Sequence, residues 1–169
     1  MSFFARIAGM FRGNYQATLE GSAPLSLPAA QPATTTWPPL SEADLDTLVR
    51  TLHGEVRGEP RDGAIAVVHV IRNRAVRRGT NAATECLRPW QFSCWNANDP
   101  NRKVITSLRP ESEAYRHWVA IAREAWARPD ITGGALHYFN PAVAQPAWRN
   151  EGKETLRIGG HVFRAGVKW

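Results

Sequence analysis

Between Pro60 and Gly79, the residues Ala64, Val67, Val68, Ile71 and Ala75 recur at the three- and four-residue spacing of one helix face. Proline fits the first turn of a helix and glycine its end, so the run is punctuated on both sides. An apolar stripe of this length has to be covered by other elements, and the flanking sequence says which. Upstream, Ser41-Glu-Ala-Asp44 reads as a capping box with Asp in place of the usual Glu. Leu45, Leu48, Val49 and Leu52 follow at helical spacing, which predicts a helix from about 42 to His53, ended by Gly54. Downstream, residues 80–110 carry Pro89, Pro100 and Pro110 and no clear period, and read as loop. Ser112 then caps a third helix over 113–127, with Tyr115, Trp118, Val119, Ala122 and Trp126 facing inward. After Gly133-Gly134, Ala-Leu-His-Tyr-Phe reads as a short strand. Thr155-Leu-Arg-Ile, Gly159-Gly160 and His-Val-Phe-Arg164 read as a hairpin turning on two glycines. Helices come first and strands last without βαβ alternation, so the fold class is α+β, mainly helical with a small C-terminal hairpin.

Residues 1–40 are different in kind. They hold five of the 12 prolines, and Gly21 to Pro39 is rich in Pro, Ala, Ser and Thr. This stretch reads as an N-terminal segment and linker, with one catalytic-sized domain over 41–169. Within the segment, Phe3, Phe4, Ile7 and Phe11 would share a helix face beside Arg6 and Arg12, suited to a membrane or partner contact. No stretch approaches the ~20 apolar residues that span a bilayer, and no secretory signal is evident.

The 169 residues carry a net charge of +6, with 21 basic residues of which only Lys103, Lys153 and Lys168 are Lys. Residues 1–40 account for +1 (two Arg, one Glu), so +5 belongs to the rest. This balance favours an anionic partner. The Arg residues are scattered, and no helix carries a basic face along its length, which argues against a nucleic-acid partner.

Four constellations could carry chemistry. In Leu52-His-Gly-Glu55-Val-Arg-Gly-Glu59-Pro60, two carboxylates sit at the junction of two helices. A carboxyl beside an apolar wall can stay protonated and serve as a general acid, which suits Glu55. Glu59 precedes Pro60, is pushed toward an extended conformation, and reads as structural. In Pro89-Trp90-Gln91-Phe92-Ser93-Cys94-Trp95-Asn96, aromatic rings and amides interleave as sugar recognition requires, and a loop anchored in the core by Trp90 and Phe92 fits equally. His137-Tyr138-Phe139-Asn140-Pro141, leading to Pro146-Ala-Trp148, and Ile158-Gly-Gly-His161-Val-Phe163 supply further polar groups for a cleft. Cys86 and Cys94 close a short loop: a disulfide is expected if the protein works outside the cytoplasm, two buried thiols otherwise. A Cys-His hydrolase through Cys94 with His137 or His161 is conceivable, but nothing local activates the thiol. His69 lies mid-helix among apolar residues without a ligand-spaced partner, so no metal and no cofactor are expected.

Taken in order, these motifs resemble the SleB-type cell wall hydrolase family, named for spore-cortex-lytic enzymes. The resemblance is carried by Glu55-Val-Arg-Gly-Glu-Pro-Arg-Asp-Gly-Ala-Ile-Ala-Val-Val-His-Val-Ile-Arg-Asn73-Arg74, Pro89-Trp-Gln-Phe-Ser-Cys-Trp95, Ala135-Leu-His-Tyr138 with Pro146-Ala-Trp148, and Ile158-Gly-Gly-His161-Val-Phe163. It covers roughly residues 44–165. It implies a lysozyme-like fold related to lytic transglycosylases, with Glu55 as the catalytic acid, and Gln91, Phe92, Ser93, Trp95, His137, Tyr138, Asn140 and His161 around the substrate. Val56 stands where the family commonly has Ala, and Asn140 falls at a variable place. The implied substrate is the peptidoglycan glycan strand, cut between N-acetylmuramic acid and N-acetylglucosamine by a monomer. The anionic envelope surface is a second partner. The small basic format suggests a phage-type endolysin, released by a holin or delivered in a particle. The alternatives are a hydrolytic muramidase, an amidase, or an inactive wall-binding module.

Overall fold

The computed structural model describes residue 37 and residues 39–168. The aromatic face expected over Phe3 to Phe11 and most of the expected linker lie outside the described residues. Five α-helices precede a three-stranded antiparallel sheet, so the α+β expectation holds. Among the described residues, no helix is long and apolar enough to cross a membrane.

Helix α1 spans Glu42–Glu55. Its expected capping box forms: Ser41 Oγ accepts from the Asp44 N–H at 3.1 Å, and Asp44 Oδ2 accepts from the Ser41 N–H at 3.4 Å. Gly54 does not end this helix but lies inside it. A Cβ at Gly54 would stand 2.6 Å from Cys94 Cβ and 3.0 Å from Ile105 Cγ2. The glycine is there for close approach, and α1 continues one residue further to deliver Glu55.

Helix α2 spans Arg61–Arg78, entered from Pro60 and closed by Gly79 in the left-handed region at φ 64°. The sequence pattern predicts one buried stripe. Instead every residue from Gly63 to Arg72 is buried, with Arg74 and Ala75. The remaining elements surround it. Helix α3 (Ala82–Leu87), helix α5 (Glu113–Ala127) and the sheet pack on different sides of α2, and α1 lies alongside. Burying each Val or Ile here is worth about 1.5–3 kcal/mol. The polar residues of α2 are covered too, and they bond to backbone. Arg72 Nη1 donates to the carbonyls of Ala125, Trp126 and Arg128 at 3.2, 2.7 and 2.7 Å, satisfying the open C-terminal end of α5 with a cation. The Trp37 ring covers the other face of that guanidinium at 3.9 Å.

Residues 80–110, expected as loop, contain α3, a 3₁₀ turn at Ser93–Trp95, and α4 (Asn101–Thr106). These helices are six residues each, too short to display an apolar period. Asn81 caps α3 by accepting from the Thr84 N–H at 2.8 Å. Helix α5 matches its expected span and is capped by Ser112.

Strands β1 (His137–Phe139), β2 (Lys153–Ile158) and β3 (His161–Ala165) form the sheet in the order β1-β3-β2. The two-glycine hairpin is as expected, with Gly159 at φ 56°. Register pairs Phe139 with Val162 and Val162 with Arg157, and Tyr138 with Phe163. Alternation therefore puts Tyr138 and Phe163 on the inner face and Phe139, Val162 and Arg157 on the outer one.

Candidate active site

The last residue of α1 is Glu55, half-buried and adjoining the 3₁₀ turn that Gly54 lets in. The Cys94 backbone N–H donates to Glu55 Oε1 at 3.1 Å. One residue therefore fixes the carboxyl against the end of its own helix.

Glu55 lines an open cleft of about 730 Å³. Gln91, Ser93, His137, Tyr138, Asn140 and His161 share it, so six of the eight expected substrate residues meet around the expected acid. The other two do not. Phe92 is 2% exposed and belongs to the hydrophobic core. Trp95 packs against that core with its indole N–H donated to Thr51 Oγ1 at 2.9 Å, and it does not line the cleft. Burial decides both cases: an aromatic ring in or just before the 3₁₀ turn gains more from the core than from solvent. Trp90 is the reverse. Expected as a possible core anchor, it is 87% exposed at the cleft rim, with φ 67°, a strained conformation for a large side chain.

The opposite wall is β1 and the segment after it. The Tyr138 ring stacks on Phe163 at 5.5 Å and meets His161 edge-on at 5.1 Å. Burial raises the Tyr138 hydroxyl pKa, and the negative Glu55 raises it further, so the phenol stays neutral. His137 packs on Trp148 at 4.9 Å. Burial, then the positive Arg74 and Arg78, lower its pKa to about 4, so it is neutral near pH 7. Arg74 is a residue that pattern reading missed. It is 5% exposed and reaches the cleft from α2. Its Nε donates to the Leu136 carbonyl at 2.6 Å, which holds β1 at the register that presents Tyr138. An Arg inside a buried helix face is the signal that could have found it, since such a cation needs a bonded purpose.

Asp130 shapes the approach to β1. Burial pushes its carboxyl pKa up, but bonds from Thr132, Gly134 and Asn73 outweigh this and hold it below its ordinary value. Asn73 bridges Asp130, Thr132 and the Ala135 carbonyl.

Glu59 is engaged elsewhere. Its Oε2 accepts from the Gly160 N–H at 3.1 Å, and its Oε1 lies 3.5 Å from His161 Nδ1. The carboxylate ties the β2–β3 turn to the start of α2, in keeping with its expected structural role. The turn glycines make room for it: a Cβ on Gly159 would stand 2.0 Å from Glu59 Oε2, and one on Gly160 2.5 Å from Asn140 Nδ2.

Of the two alternatives for Cys86 and Cys94, the structure has the buried free thiols. They are committed to different neighbours. Cys86 is packed in the core cluster, while the Cys94 backbone N–H is bonded to Glu55. Burial pushes the Cys86 thiol up to about 12, and burial with the Glu55 charge pushes Cys94 up as well. Neither is a thiolate at neutral pH, which removes the Cys-His hydrolase reading. His69 is fully buried with Nε2 2.9 Å from the Ala125 carbonyl and Nδ1 accepting from the Ile131 N–H at 3.2 Å. Both ring nitrogens are thus occupied by backbone. A separate hollow of about 610 Å³ lies by His53, Arg57, His117 and Trp118, and Glu55 does not line it.

A family model for cell wall hydrolases matches residues 58–164. The chain belongs to the cell wall hydrolase family. The matched span begins just past Glu55 and includes every other residue of the cleft. A spore cortex-lytic enzyme of Halalkalibacterium halodurans is 31% identical over 125 residues, which cover 73% of this chain and 35% of the relative. The spore cortex-lytic enzyme of Bacillus subtilis is 30% identical over 125 residues, covering 73% of this chain and 38% of the relative. The chain thus spans well under half the length of these curated relatives. Among solved structures, the catalytic domain of the germination-specific lytic transglycosylase SleB from Bacillus anthracis matches with a TM-score of 0.60 at 28% identity, covering 74% of this chain and 96% of that domain. The catalytic domain of the Bacillus cereus SleB protein matches with a TM-score of 0.60 at 28% identity, covering 75% and 93%. The lysozyme-like α+β architecture implied by the sequence motifs is the one this chain shares with them.

Proposed function

We propose that this domain cleaves the peptidoglycan glycan strand between N-acetylmuramic acid and N-acetylglucosamine as a lytic transglycosylase, with Glu55 as its acid and base. The observation that carries the reading is that Glu55 is the only carboxylate among the described residues lining the cleft. A hydrolytic glycosidase places a second carboxylate across the scissile bond. Glu59, the nearest in sequence, is bonded into the hairpin turn. An intramolecular step needs no second carboxyl. Glu55 gives its proton to the glycosidic oxygen as that bond breaks. The C6 hydroxyl of the muramic acid closes on C1, and its proton returns to Glu55. The product is an anhydro end, and no water is consumed.

The cleft supports the rest of the task. Gln91, Ser93 and Asn140 offer hydroxyl and amide groups to sugar hydroxyls and acetamido groups, and exposed Trp90 offers a ring face for a pyranose. Tyr138 and His137, both neutral near pH 7, offer hydrogen-bonding groups without added charge. The basic excess of residues 41–169 favours the anionic envelope, and with it an endolysin-type role in lysis. Coexpression with a pore-forming holin should then clear the culture.

Mass spectrometry of products from purified peptidoglycan tests the chemistry. Anhydro ends are expected, and reducing ends would replace this reading with a hydrolytic muramidase. In a zymogram, binding without clearing would leave only a wall-binding module.

A further inference from the structure

The catalytic cleft has a neighbour. On the outer face of the sheet, a groove of about 330 Å³ has Phe139 and Val162 at its floor and Arg149, Arg157 and Arg164 around it. Phe139 and Gln145 line both this groove and the cleft, so the two are separated only by the segment that follows β1. The groove carries three guanidinium groups against one carboxylate, Glu154. Arg157 forks onto Glu154 with two contacts of 3.1 Å. Arg164 donates only to the backbone carbonyls of Glu151 and Gly152, and Arg149 only to the Pro146 carbonyl at 3.5 Å. Among the described residues, neither Arg149 nor Arg164 has an ion pair, so the groove holds two uncompensated cations over an apolar floor.

We infer that this groove binds carboxylates of the stem peptide attached to the muramic acid being cleaved. The inference rests on the glycan-cleaving reading above and adds the part of the substrate that leaves the sugar plane. A muramic acid seated beside Glu55 projects its lactyl ether and peptide sideways from the strand. The wall with Phe139 and Gln145 at its crest is the short way out of the cleft toward positive charge. Alanyl methyl groups suit the Phe139 and Val162 floor, and free carboxylates suit planar guanidinium donors. Arg157 is held in reserve by Glu154, so that carboxylate sets the strength of the groove.

The test compares two substrates: peptidoglycan freed of attached polymers, and the same strands stripped of peptide by an amidase. Arg149→Glu combined with Arg157→Glu should lower kcat/KM on the peptide-bearing strands about tenfold, mainly through KM, and leave the peptide-free strands unchanged. Glu154→Gln should move the other way, raising kcat/KM on peptide-bearing strands about twofold to threefold. Equal rates for wild type and variants on both substrates would overturn the inference while the glycan-cleaving reading stands. An effect seen only when phosphate-bearing wall polymers are left attached would also overturn it, by assigning the groove to phosphate. Wild-type inactivity on both substrates would remove the reading and the inference together.

Discussion

Helices α1 and α2 meet at the junction 55–60 and use their polar residues in opposite ways. Helix α1 keeps an exposed side and ends on a carboxyl directed to a cleft. Helix α2 is covered all round and turns His69, Arg72, Asn73 and Arg74 onto backbone or polar groups of the elements that surround it. The first helix presents a reactive group; the second fixes the distance between the walls that receive substrate. Mutations at the two helices should therefore separate chemistry from stability.

The largest expected effect is at Glu55. Glu55→Gln keeps the shape and the bond from the Cys94 N–H, and should cut the rate on peptidoglycan by about 10²–10⁴-fold. Thermal unfolding of the variant should match the parent. Retained lysis would sink the division proposed between the helices. Arg72→Met should do the converse: it strands three carbonyls at the end of α5 and should cost about 3–5 kcal/mol in denaturant unfolding. Activity per folded molecule should be unchanged.

His69 sharpens the same contrast with pH. Burial, then the positive Arg72, lower its pKa from 6.5 to about 4. The unfolded chain then binds the proton that the folded chain refuses. Stability is complete above about pH 6.5 and falls as pH drops toward 4, by about 3 kcal/mol from this group. Urea unfolding across that window should show the slope, and His69→Gln should flatten it. The smallest effect is expected at Glu59. Glu59→Ala removes the acceptor of the Gly160 N–H and should cost about 1–2 kcal/mol. Activity should fall less than tenfold, through loosened His161 and Asn140. A loss as deep as that of Glu55→Gln would give Glu59 a share in the chemistry and break the comparison of the two carboxylates.

What the sequence made legible follows physical range. Capping at Ser41 and Ser112, the glycine end of α2 and the Gly159-Gly160 turn are local effects, and they appear where local pattern puts them. The convergence of Glu55 with Gln91, Ser93, Tyr138 and His161 came from motif order rather than from periodicity. Three things escaped for one reason. Which of Trp90 and Phe92 is covered, whether Gly54 ends a helix or admits a neighbour, and what Arg74 bonds are all decided by partners distant in sequence. The all-round burial of α2 is likewise invisible to a one-face pattern, because it depends on how many elements gather there.

The missing side chain at position 54 leads further than packing. With so little space between α1 and Cys94, positions 54 and 94 behave as one steric unit of fixed total volume. Any atom added at 54 pushes the 3₁₀ turn outward and carries off the amide that steadies the Glu55 carboxyl. The aim of the acid is therefore set by an absence one residue before it. Because the nearest atom is the Cys94 Cβ itself, a side chain at 54 demands glycine at 94 or a displaced turn.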